Sequence, residues 1–86
     1  MKALAGLGVA LTQSGRAEDT MRTYRRALEL DPQDAAAHNN LGWTLASEGR
    51  IAEAVPQFER ALQLNPAYED ARKNLEQARR MLTLNR

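Results

Sequence analysis

Asn40 and Asn74 stand 34 residues apart, each inside a similar stretch, "AAAHNNLGW" from Ala35 and "YEDARKNLEQA" from Tyr68. A carboxamide donates through its nitrogen and accepts through its oxygen. Two of them, repeated along one face, suit the backbone of an extended peptide without reading its side chains. Asn39, Trp43, Lys73 and Gln77 lie nearby in sequence. An indole is a frequent anchor in protein interfaces, and lysine and glutamine add further donors. This is chemistry for recognition. Catalytic chemistry is missing from the pattern: no phosphate-cradling glycine loop, no Ser–His–acid trio spread over separate elements, and no pair of acids at a plausible pocket spacing. With no cysteine and one histidine, His38, the chain has no thiolate and no second ligand at metal spacing. The expectation is therefore a protein that is not an enzyme and carries no cofactor and no metal.

The elements that position these residues follow from a repeat. "RALELDPQDAAAHNNL" at residues 26–41 returns as "RALQLNPAYEDARKNL" at 60–75. Shifting the chain by 34 residues aligns Leu7, Leu41 and Leu75, Gly8 with Gly42, Leu11 with Leu45, and Gly15 with Gly49. Tyr24 then falls on Phe58, Ala27 on Ala61, Leu28 on Leu62, Leu30 on Leu64, and Pro32 on Pro66. Within each unit the apolar residues fall three and four apart, as Leu4, Leu7 and Leu11 do, which is helical spacing.

The interruptions repeat as well. Gly15 and Gly49 are suited to closing a helix in the left-handed conformation, and the residue before proline at Asp31-Pro32 and Asn65-Pro66 is pushed out of the helical region. Asp34 and the acids Glu69 and Asp70 sit near helix starts, where negative charge is favoured. The pattern predicts five helices, at about 2–14, 18–30, 35–48, 52–64 and 68–83. Gly8 and Gly42 fall where the first helix of a unit meets the second, and Ala27, Ala54 and Ala61 are small on the facing helix. Two residues depart from the scheme: Thr20 occupies the column of Ala54, and Pro56 lies within a helix, where it removes one backbone hydrogen bond.

This combination resembles the tetratricopeptide repeats, whose unit is a helix–turn–helix of about 34 residues. The residues that carry the resemblance are "LGVAL…G…Y..AL.LDP" from Leu7 to Pro32 and "LGWTL…G…EAV..F..AL.LNP" from Leu41 to Pro66. It implies an all-α, right-handed α-solenoid of stacked antiparallel helix pairs. One domain would span 1–86, with repeat 1 at 1–34, repeat 2 at 35–68 and a capping helix at 69–86. In the cap, Glu76 replaces the close-contact glycine, and Asp70, Arg72, Lys73, Arg79 and Arg80 surround one apolar stripe, as a polar outer face requires.

The resemblance also implies where a partner lies, since the first helix of each unit lines a concave groove that takes a protein or peptide. The groove residues would be Asn39, Asn40, Trp43, Lys73, Asn74 and Gln77. Family members that clamp a chaperone's terminal carboxylate use basic residues there. The matching positions here are Ala5, Val9, Asn40, Asp70 and Asn74, of which Asn40 alone fits, and Asp70 carries the wrong sign. That clamp is not expected.

Twelve basic and eleven acidic side chains leave a net charge of +1, which gives no field to attract nucleic acid or an anionic membrane. Arg16, Arg22, Arg25 and Arg26 alternate with Glu18, Asp19 and Glu29 and read as an ion-paired outer face. The run "LAGLGVAL" after Lys2 is too short to span a bilayer, which needs roughly 20 residues. No small-residue cleavage signature follows it, so a cytoplasmic location is favoured over export. The opening helix carries Leu4, Leu7, Val9 and Leu11 with Lys2 as its one charge, which leaves an apolar outward face. Two expectations follow: the chain is cut from a longer array, or that face self-associates through Leu4 and Val9, as a homo-oligomer or by helix exchange.

Overall fold

The computed structural model describes the backbone of residues 2–84 and the side chains of 15–84. The described residues form α1 (Lys2–Leu30), α2 (Ala35–Ser47), α3 (Ile51–Leu64) and α4 (Glu69–Leu84), with no strand among them.

The two proline loops are built alike. Asp31 accepts from the Gln33 N–H at 3.1 Å, and Asn65 accepts from the Ala67 N–H at 3.3 Å. In each, the backbone closes again three residues on, Asp34 N to Asp31 O and Tyr68 N to Asn65 O. An acid or amide before proline thus supplies a local acceptor just where proline stops the helical ladder. The helices that follow start differently. Asp34 caps α2 by accepting from the Ala37 N–H at 3.1 Å, whereas the same column before α4 holds Tyr68, whose hydroxyl bonds elsewhere.

The turn between α2 and α3 is held from three directions. Gly49 takes φ = 81°, a conformation in which a Cβ is strained. The Gly49 N–H reaches the Ala46 carbonyl and the Arg50 N–H the Leu45 carbonyl, the paired bonds of a glycine-closed helix end. Arg50 then grips Glu53 with two hydrogen bonds, of 2.7 and 2.9 Å.

The matching turn at Gly15 does not form, which corrects the expected count of five helices to four. The helices expected at 2–14 and 18–30 are one continuous α1. Among the described residues only Gly49 has positive φ. Glycine permits a left-handed turn without compelling it. No proline lies between residues 2 and 30, so helical hydrogen bonding continues, and glycine in a helix costs only about 1 kcal/mol against alanine. Asp19, in the column of Glu53, pairs with Arg22 along the helix at 3.4 Å instead of gripping the residue after the turn.

The core is a seam of large side chains against small ones. Met21, Leu41, Leu45, Ile51, Phe58 and Leu75 are buried together with Ala17, Ala54 and Ala78. Fully burying a Met or Phe contributes roughly 1.5–3 kcal/mol, and Met21 and Phe58 are the largest side chains removed from solvent completely. The Phe58 ring lies on the backbone of α2 at Gly42, where an added Cβ would stand 2.7 Å from its nearest carbon. Leu82, Tyr24 and Leu28 pack against the edge of this cluster. Pro56 lies inside α3 on its exposed side, where water can reach the carbonyl left without a donor.

Candidate functional site

α2 contacts all three other helices and touches α4 directly. The face shared by α2 and α4 carries the residues singled out by type. Trp43 stands at its centre, 60% exposed. That is unusual for the largest apolar side chain of a chain whose Phe58 and Met21 are buried. Three recesses adjoin the indole. One, of about 180 Å³, opens between α2 and α4 against Ala46, Phe58, Asn74, Gln77 and Met81. A second, of about 280 Å³, lies toward α1 beside Ala17, Thr20 and Thr44. The third, of about 370 Å³, is polar and is lined by Asn39, Asn40, Asp70, Lys73 and Asn74.

The other five groove candidates therefore gather around Trp43: Asn39, Asn40, Lys73 and Asn74 in the polar recess, with Asn74 and Gln77 in the recess beside Met81. They do not present themselves equally. Asn40, Lys73 and Gln77 are exposed and Asn74 is half-buried, while Asn39 is turned beneath the face with 6% of its surface exposed. Asn74 Nδ2 donates to Asn39 Oδ1 at 3.0 Å, and Asn39 Nδ2 donates to the Tyr68 hydroxyl at 3.4 Å. Along α2, the buried Thr44 donates to the Asn40 carbonyl and the exposed Ser47 to the Trp43 carbonyl, both at 2.9 Å. These hydroxyls are spent within the helix. The candidate self-association residues Leu4 and Val9 lie outside the described side chains.

Met81 and Tyr68 were missed by residue-type reasoning. Met81 lies four residues after Gln77 and seven after Asn74, so helical spacing carries it onto the same face. Tyr68 reads as one more apolar residue of a stripe, and only the packing of α4 beside α2 gives its hydroxyl a partner.

His38 is held between elements. Its Nδ1 lies 2.9 Å from Gln57 Oε1 and its Nε2 lies 2.9 Å from the Pro32 carbonyl, so the ring bridges the proline loop and α3. No group of three or more potential metal ligands occurs among the described residues. Of the arginines on the outer face, Arg22 pairs with Asp19, and Glu18 pairs with Arg50 at 3.5 Å. The hydrogen bond from Arg50 holds the Glu53 carboxyl below its ordinary pKa despite partial desolvation, with attraction from Arg50 and Arg25 adding to it. The same bond raises Arg50. No helix among the described residues is long and apolar enough to cross a membrane.

No curated protein matches the chain significantly. The family profile described as Tetratricopeptide repeat matches residues 6–69, a span that includes the two stretches Leu7 to Pro32 and Leu41 to Pro66 and the whole α2–α3 pair. Domains of this kind are typically non-catalytic scaffolds that mediate protein–protein interaction. The glycine contact of Gly42 with Phe58, the glycine-closed turn at Gly49 and the two proline loops are the structural form of that repeat, and the chain belongs to the tetratricopeptide repeat family.

Proposed function

We propose that this chain is a protein-interaction module without catalytic activity of its own. It holds an extended peptide or partner segment against the α2–α4 face, the concave side of a short right-handed α-solenoid made of repeat 1 (1–34), repeat 2 (35–68) and the cap (69–86). The observation that carries this reading is the exposed Trp43, flanked by an apolar recess on one side and a row of carboxamides on the other. The recess beside Met81 suits one apolar side chain of the bound segment. Asn40, Asn74 and Gln77 suit its backbone, since each offers both a donor and an acceptor.

Selection from a displayed library of random peptides tests the reading, with the fluorescence of Trp43, the one tryptophan of the chain, reporting contact. Trp43→Ala should reduce affinity at least tenfold, as loss of an aromatic anchor typically costs about 2 kcal/mol. Asn40→Ala should reduce it about two- to tenfold, the loss of one hydrogen bond. Binders that ignore both substitutions while the fold is intact would refute the site.

A second reading, self-association, is favoured by one observation. In the second repeat Ala54, Phe58 and Ala61 are 0–1% exposed. In the same columns of α1, Thr20 is exposed and Tyr24 and Ala27 are only half-buried, and Leu30 beyond them is 85% exposed. A second copy covering this face would make the protein a homo-oligomer. Light scattering over a wide concentration range tests it. Leu4→Lys, Val9→Lys or Tyr24→Lys should then return the mass to that of a monomer, and a constant monomer mass for the unaltered chain would dismiss it.

A further inference from the structure

Asn39 occupies a position the repeat does not require to be amide or buried. Its equivalent one unit later, Lys73, is exposed. Burying a carboxamide is unfavourable unless its polar atoms are bonded, and both ends of Asn39 are: the oxygen by Asn74 Nδ2 at 3.0 Å, the nitrogen by the Tyr68 hydroxyl at 3.4 Å. Tyr68 sits in the column where Asp34 caps α2, so its hydroxyl is free for this bond. The three side chains form a relay from the base of α4, under the face of α2, and out to Asn74 at the edge of two of the three recesses beside Trp43.

We infer that Asn39 is a positioning residue for binding: it fixes the Asn74 carboxamide before a peptide arrives, so that Asn74 acts as a rigid rung and Asn40 as a free one. This rests on the reading of the α2–α4 face as the peptide site. The physical ground is the broad terminal torsion of asparagine, which samples many orientations unless something holds it. A side chain ordered in advance loses less freedom on binding. Asn40 has no side-chain hydrogen bond of this kind among the described residues, although it lines the same recess. The two repeated asparagines therefore contribute by different routes, one preorganised and one adaptable.

The test uses the full chain and a peptide selected against it from a displayed random library. Asn39→Ala should lower affinity about two- to tenfold, the loss of one hydrogen bond's contribution, and by as much as Asn74→Ala does. The double variant Asn39→Ala/Asn74→Ala should lose nothing further, whereas Asn39→Ala/Asn40→Ala should multiply the two losses. Should Asn39→Ala fail to fold, Tyr68→Phe removes only the far hydroxyl and should give a smaller loss, again absent once Asn74 is alanine. Without any peptide, the Asn74 side-chain amide protons should exchange with solvent more slowly in the natural sequence than in Asn39→Ala or Tyr68→Phe. Losses that multiply between positions 39 and 74, or equal exchange rates in all three proteins, would overturn the inference. A selection that yields no binder would instead overturn the peptide site itself, and slow exchange would then identify the relay as structural.

Discussion

Replacing Gly42 by alanine tests the closest approach in the fold. A Cβ there would stand 2.7, 2.9 and 3.1 Å from three carbons of the Phe58 ring, well inside van der Waals contact. The ring is 1% exposed and enclosed by the core cluster, so it has no solvent side to move toward. Overpacking of this kind costs about 1–3 kcal/mol, against a gain of about 1 kcal/mol from exchanging glycine for alanine within a helix. The control is Gly15→Ala, inside α1, where an added Cβ meets nothing within 4 Å and φ is not positive. That variant should show the helix gain alone. Urea unfolding followed by far-UV circular dichroism should therefore place Gly42→Ala below Gly15→Ala by about 1–3 kcal/mol, with unchanged m-values. Adding Phe58→Leu should shrink the gap, because the smaller side chain frees the space. Equal stability of the two alanine variants, or a gap that Phe58→Leu leaves unchanged, would refute the claim that Gly42 is glycine for the sake of Phe58.

Gly49→Ala should destabilise by about 1 kcal/mol or more, since alanine resists φ = 81°; thermal unfolding measures it against Gly15→Ala. Asp34→Ala should cost about 1 kcal/mol by leaving the Ala37 N–H without its cap, whereas Ala36→Ser, at an exposed position in the first turn, should leave the melting temperature nearly unchanged. Because Glu53 is held below its ordinary pKa by Arg50, its contribution is present above the unfolded carboxyl pKa and fades as pH falls through the folded value. Glu53→Gln should thus be less stable at neutral pH and converge with the natural sequence below about pH 4. Convergence at high pH instead would contradict the assigned pairing. Trp43→Phe should leave stability nearly intact, as expected for a side chain 60% exposed, while changing peptide affinity.

Much of this molecule is legible in the repeat. Gly49 and the two prolines Pro32 and Pro66 fall where the chain changes direction, and both proline loops and the Gly49 turn follow from residues a few positions apart. Helical spacing places Asn40 and Trp43 on one face of α2, and Lys73, Asn74 and Gln77 on one face of α4. The division of labour between Asn39 and Asn40 is not legible. Adjacent asparagines point about 100° apart on a helix, and which of them α4 covers depends on how that helix docks.

Gly15 marks the same boundary from the other side. Its column is identical to that of Gly49, yet α1 continues through it. Local sequence determined where α2, α3 and α4 start and which positions are small, because caps, left-handed glycines and proline act over a few residues. Tertiary structure decided whether a permitted turn is used, which carboxamide is buried and whether Tyr68 caps or bridges. Those outcomes depend on contacts between α2, α3 and α4 that no spacing within a single helix contains.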